Sequence, residues 1–83
     1  MEKIRFNIQH DVQQAMHFGL PIVALESTVI THGLPQPVNL RLAQDMEATV
    51  RAQGATPATI ALLDGSVKVG LSSEELEQLA GAV

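Results

Sequence analysis

The sequence predicts an α/β fold, a partial mixed sheet with a βαβ unit and a β-hairpin, flanked by helices. Three observations predict it. A continuous apolar run, Ile22-Val23-Ala24-Leu25, precedes a helix-periodic segment, Val38 to Gln53, and then a second apolar run, Thr59 to Leu63. The dipeptide Asp64-Gly65 separates that run from Val67 to Val69, which is the pattern of a tight hairpin. The 83 residues include only two aromatics, Phe6 and Phe18, so the core is assembled from Leu, Ile, Val, Met and Ala.

Met1 to Gln9 mixes charge and apolar residues without a period and reads as an extended arm. Asp11 is placed to cap a short helix, Val12 to Phe18, with Val12, Ala15 and Met16 on one face. Gly19 suits the left-handed position that ends it. The run Ile22 to Leu25 does not alternate, which predicts a strand covered on both faces. Ser27 to Asn39 is polar and then rich in Gly and Pro, with Pro35 and Pro37 arguing against any regular element, so it reads as a loop with a functional look. In the next helix Leu42, Met46 and Val50 recur every fourth residue, beside Ala43, and Glu47 and Arg51 form an i, i+4 ion pair. Gly54 ends that helix. After the hairpin, Ser72 and Glu75 make a capping box for a last short helix, and Glu74, Glu75 and Glu77 form its solvated acidic start.

A net charge of -4 with five scattered basic residues leaves no basic stripe to follow a phosphate backbone, which excludes polymeric nucleic acid as the expected partner. No apolar stretch approaches the ~20 residues that span a bilayer, and the N-terminus lacks a signal-peptide core. With no cysteine, disulfides and thiolate metal sites are excluded. The expectation is a cytoplasmic chain away from any membrane. Few helices are available to cover both faces of the sheet, so the chain reads as the first part of one larger α/β domain: residues 1–20 as arm and helix, residues 21–83 as βαβ unit, hairpin and helix. Such a piece is expected to be marginally stable alone or to self-associate.

Ligands of open α/β sheets bind beyond the carboxyl ends of the parallel strands. Glu26, Ser27 and Thr28 stand there, followed by His32, and by Asn39, which is placed to cap the next helix or to reach a ligand amide. A carboxylate ending an apolar strand is expected to have its pKa raised by desolvation, as a general acid requires. The residues alone leave a second role for Glu26 open, as an acceptor that holds the loop. Ser27 and Thr28 have no paired base and read as backbone-bonding hydroxyls. His10 and His17 read as solvated helix residues, and three dispersed histidines without ligand spacing do not make a metal site.

The stretch ALESTVITHGLPQPVN (Ala24 to Asn39), followed by GATPATIALLDGSVKVGLSSEELEQLA (Gly54 to Ala80), resembles the N-terminal part of pseudouridine-5′-phosphate glycosidase. The resemblance runs from about Pro21 onwards and corresponds to about the first quarter of the family's length. Leu34, Gln36 and Val38 depart from the family's loop while keeping its Pro and Gly positions. The resemblance implies reversible cleavage of the C-glycosidic bond of pseudouridine 5′-phosphate to uracil and ribose 5-phosphate. It implies Glu26 as proton donor, with Ser27, Thr28, His32 and Asn39 shaping the pocket. It also implies a nucleophilic lysine that opens the sugar, a manganese ion held by an aspartate, a phosphate-binding lysine and a homotrimer. Neither Lys3 nor Lys68 matches the family's lysines, and the metal's ligands do not fall in this sequence. The chain is therefore expected to be inactive alone. The competing reading is a non-catalytic interaction module that completes its sheet with another chain.

Overall fold

The computed structural model describes residues 4–81, so Met1 to Lys3 of the expected arm lie outside the described residues. The chain runs β1 (Phe6–Ile8), α1 (His10–His17), β2 (Ile22–Glu26), a π-helical turn (Val29–Gly33), α2 (Val38–Ala52), β3 (Thr56–Leu63), β4 (Ser66–Val69) and α3 (Ser73–Gly81). The four strands form one mixed sheet in the order β1-β4-β3-β2. β2 and β3 are parallel neighbours joined through α2, which is the expected βαβ unit. β3 and β4 are antiparallel and joined at Asp64-Gly65, both of which have positive φ (52° and 76°), as a type I′ turn requires.

The arm is more ordered than its sequence suggests. Phe6 to Ile8 pairs in parallel with Val67 to Val69, and Gln9 N–H continues the ladder to Val69 C=O at 3.0 Å. That bond moves the start of α1 back to His10, so Gln9 rather than Asp11 occupies the cap position. Asp11 sits in the first turn and accepts from the Val12 N–H. At the other end Gly19 (φ 67°) completes a Schellman motif, with Leu20 N–H donating to Ala15 C=O at 2.8 Å. Val12 and Ala15 are buried as expected, but Met16 is exposed, because α1 packs on β3 and β2 along the Val12–Ala15 side only.

β3 begins at Thr56, three residues before the apolar run that announces it, and so contains Pro57. Thr56 N–H donates to Pro21 C=O, so in this register Pro57 turns its nitrogen away from β2. On that side β4 reaches only as far as Gly70, whose N–H meets Thr59 C=O, and the missing proline donor costs no ladder bond.

One face of the sheet is covered by α2 and α3. There Ala61 and Leu63 pack with Ala43, Leu71, Leu76, Leu79, Ala80 and Ile30. The expected capping box closes α3: Ser72 N–H donates to Glu75 Oε1 at 3.0 Å, and Glu75 N–H to Ser72 Oγ at 3.1 Å. Glu75 is not simply solvated, because Lys68 Nζ lies 3.1 Å from its Oε2. The other face is open beyond α1. The cross-strand row Phe6–Val67–Leu62 lies on it, with Phe6 65 % and Leu62 75 % exposed. β2 is an edge strand with Val23 and Ala24 exposed, so the expectation of cover on both faces fails within these residues. Among the described residues, no helix is long and apolar enough to cross a membrane.

Candidate functional site at the carboxyl end of β2

The segment after β2 is not the irregular loop that its Gly and Pro content suggests. Ser27 C=O accepts from the N–H groups of Ile30 and Thr31, which starts the π-helical turn. Ile30 drops from this turn into the main core and is 2 % exposed. The prolines act only afterwards, where the chain bends into α2 and the Gln36–Pro37 peptide is cis.

Asn39 fixes the turn from below. It is 1 % exposed, and its Nδ2 donates to Ile30 C=O and to Ala80 C=O, both at 3.0 Å. Its Oδ1 accepts from Leu40 N–H at 2.8 Å, satisfying one free amide of the first turn of α2. One side chain thus ties the turn, α2 and α3, and its amide faces protein rather than an open cavity. Gln36 Nε2 adds a second donor to Ala80 C=O at 3.1 Å.

Glu26 ends β2 in solvent. Its Oε1 accepts from Thr28 N–H at 2.7 Å, and its Oε2 accepts from the Thr28 hydroxyl. These bonds, the hydroxyl first, hold the Glu26 carboxyl below its ordinary value. The sequence-based expectation of a raised pKa is therefore corrected: desolvation pushes upward but is outweighed, because the group is exposed and doubly bonded.

The larger cavity beside this end of the sheet is an open groove of about 410 Å³. That volume falls in the small-molecule range of ~300–1,000 Å³. Ser27, Thr31 and His32 line it from the turn, Ile60, Leu62 and Val67 from the sheet, and Leu79 from α3. Glu26 borders a different space, about 10 Å³, between Leu25, Val29, Ile30, Ala43, Met46 and Thr59, which holds no more than about one water. So Ser27 and His32 share the groove, Glu26 and Thr28 bond each other outside its lining, and Asn39 is buried against Ile30 and Ala80. Thr31 joins the groove without any sequence signal beyond its place in the turn. No three His, Asp or Glu side chains converge among the described residues, so these residues do not fit a manganese ion.

A second carboxylate escaped the sequence reading. Glu47, expected to be half of a surface pair, is 6 % exposed. It keeps the Arg51 contact at 3.4 Å, but its Oε2 also accepts from Thr59 Oγ1 of β3 at 2.6 Å. The buried stripe of α2 is Asn39, Ala43 and Glu47, one residue round from Leu42, Met46 and Val50. The four-residue spacing of Asn39 and Glu47 about Ala43 was the available signal.

Comparison with known proteins bears on this geometry. The family described as indigoidine synthase A like protein matches residues 11–83. A pseudouridine-5′-phosphate glycosidase of Rhodospirillum centenum is 57 % identical over 74 residues, covering 89 % of this chain and 23 % of that protein. One from Petrotoga mobilis is 56 % identical over 73 residues, covering 88 % and 24 %. A crystal structure of an indigoidine synthase A-like protein from Thermotoga maritima superposes with a TM-score of 0.76 at 29 % identity, over 96 % of this chain and 25 % of that one. The prealnumycin C-glycosynthase AlnA, solved in complex with ribulose 5-phosphate, gives 0.75 at 30 % identity, over 99 % and 26 %. The chain spans about a quarter of the length of the relatives it matches.

Proposed function

Since the chain belongs to the indigoidine synthase A-like family, we propose that it supplies the N-terminal portion of a larger α/β domain that acts as a pseudouridine-5′-phosphate glycosidase. In this reading Glu26 exchanges a proton with uracil while the C-glycosidic bond to ribose 5-phosphate breaks or forms. The observation that carries it is the position of Glu26 at the carboxyl end of β2, directly before Ser27 of the groove wall, within a segment more than half identical to enzymes of that name. The ribulose 5-phosphate bound by the C-glycosynthase neighbour supports a pentose phosphate as the substrate class.

Breaking the bond between C1′ of the ribose and C5 of uracil leaves the electron pair on C5, which must take up a proton. A protonated Glu26 supplies it in cleavage, and the ionised form takes it back in synthesis. The Thr28 bonds favour the ionised form, so the donor role needs the bound base to loosen them and dry the carboxyl. Ser27, Thr31 and His32 shape the groove wall, and Asn39 keeps the turn in place. Among the described residues no lysine lines the groove to open the sugar, and the chain is expected to be inactive alone.

The test is complementation. The chain is incubated with pseudouridine 5′-phosphate and Mn2+, with and without a polypeptide matching the remaining three quarters of the Rhodospirillum centenum relative, and uracil is measured. We expect release only from the mixture, and loss of it with Glu26→Gln. Turnover by the chain alone overturns its inactivity, and full activity of Glu26→Gln in the mixture overturns the donor role.

A further inference from the structure

We propose that Thr28 is a positioning residue for the proton transfer at Glu26: its hydroxyl donates to the carboxylate and turns to accept from the acid, so one side chain keeps the carboxyl aligned in both directions of the reaction. The proposal rests on the glycosidase reading of Glu26 and adds a second residue to it. Thr28 brackets the carboxyl, its N–H donating to Oε1 at 2.7 Å and its hydroxyl to Oε2. The Thr28 backbone is helical (φ -63°, ψ -30°), at the entry of the turn that Ser27 C=O closes with the Ile30 and Thr31 amides. The turn thus holds the N–H in place, whereas the hydroxyl rotates about its own bond.

The two donors differ in what they do when the carboxyl takes up a proton. An amide N–H only donates, so it goes on facing Oε1. A hydroxyl donates or accepts, so it stays bonded in either state when the acid proton sits on Oε2. In cleavage that proton leaves Oε2 for C5 of the base, which holds the electron pair of the broken bond to C1′. Oε2 keeps the negative charge, and the hydroxyl turns to donate to it. Synthesis runs the same steps backwards. The loosening that the donor role needs is then a turn of this hydroxyl rather than a departure of Glu26. Neighbouring charges do not supply the role. Leu25, Val29, Ile30, Ala43, Met46 and Thr59, around the small space beside Glu26, are uncharged, as is its β3 partner Ile60, and His32 is the one titratable side chain of the π-helical turn. The hold on the carboxyl comes first from the Thr28 hydroxyl and then from its amide, with burial opposing.

A titration and a rate profile test this together. Thr28→Val and Thr28→Ala remove the hydroxyl and keep the amide, and Thr28→Ser keeps both. Thr28 is exposed, so each substitution spares the core. In the whole chain the carbon-13 shift of the Glu26 carboxyl is followed against pH. Its midpoint is expected to move up in the two variants without a hydroxyl and to stay with the unmodified chain in Thr28→Ser. In the complemented mixture the basic limb of kcat/KM for uracil release is expected to move to higher pH in the same two variants. The plateau below that limb is expected to fall at least about threefold, and serine is expected to restore both. A Glu26 midpoint that ignores loss of the hydroxyl in the folded variants overturns the proposal. So does a shifted midpoint with an unmoved limb, or a limb that serine does not restore. An unmodified mixture that releases no uracil overturns the glycosidase reading instead, and the midpoint alone then upholds or overturns the hold of Thr28 on the carboxyl.

Discussion

Two glutamates in this chain each accept a hydrogen bond from a threonine hydroxyl, yet they sit in opposite circumstances. Glu47 lies under the sheet, nearly sealed from water, bonded to Thr59 and paired with Arg51. Glu26 stands in solvent at the end of β2, bonded only within its own turn. A buried carboxylate must keep its partners, because losing one leaves a charge without compensation. An exposed carboxylate with local partners can give them up, because water replaces them. The fold therefore leans on Glu47, whereas Glu26 can exchange its partners for water at little cost to the fold.

The largest expected effect tests the first half of that contrast. Glu47→Ala leaves the buried Thr59 hydroxyl without an acceptor and is expected to cost about 3 kcal/mol, read as a lower urea midpoint. Glu47→Gln, which keeps an acceptor, is expected to cost less. Asn39→Ala comes next, at about 2 kcal/mol, because Ile30 and Ala80 carbonyls and the Leu40 amide lose one shared partner. Gly70→Ala is expected to cost about as much, roughly 1–3 kcal/mol. A Cβ there would lie 2.8 Å from Val12 Cγ2, at a φ of +90° that side chains rarely adopt.

A smaller effect, about 1 kcal/mol, is expected for Ser72→Ala through loss of the α3 cap. The cap also has a pH signature. The Ser72 amide, and then Lys68, hold the Glu75 carboxyl below its ordinary value of 4.5. Its stabilising contribution is thus present above that value and lost as pH falls through the lower folded one. Urea midpoints taken from pH 6 down to pH 3 should drop, and Glu75→Gln should flatten the drop. The smallest effect is Glu26→Gln, expected to change stability by less than about 0.5 kcal/mol. If Glu26→Gln destabilises the chain as much as Glu47→Ala, the division between the two carboxylates is wrong.

The sequence was most legible where a single local rule decided the outcome. Asp64-Gly65, Gly19 and the Ser72–Glu75 box each carry their geometry in two to four residues, and each forms as read. β1 escaped because three residues pairing with a strand some sixty positions away leave no local period. The π-helical turn escaped because Pro35 and Pro37 suggested irregularity for the whole segment, whereas Ile30 anchors its first half in the core. Glu47 escaped because an i, i+4 partner explains a glutamate on a helix before burial is considered. At the candidate site, the position of Glu26 was readable and its ionisation was not, because that depends on how closely the Thr28 hydroxyl and amide approach.

The carbonyl of Ala80 receives amide donors from both Gln36 and Asn39, so the last turn of α3 is capped by the segment that borders the groove. Those two pieces of chain, more than forty positions apart, cannot fray independently. Slow amide exchange in the π-helical turn should rise and fall with that of the end of α3. A small molecule held by Ser27 or His32 would then register as added protection in a helix whose backbone it never touches.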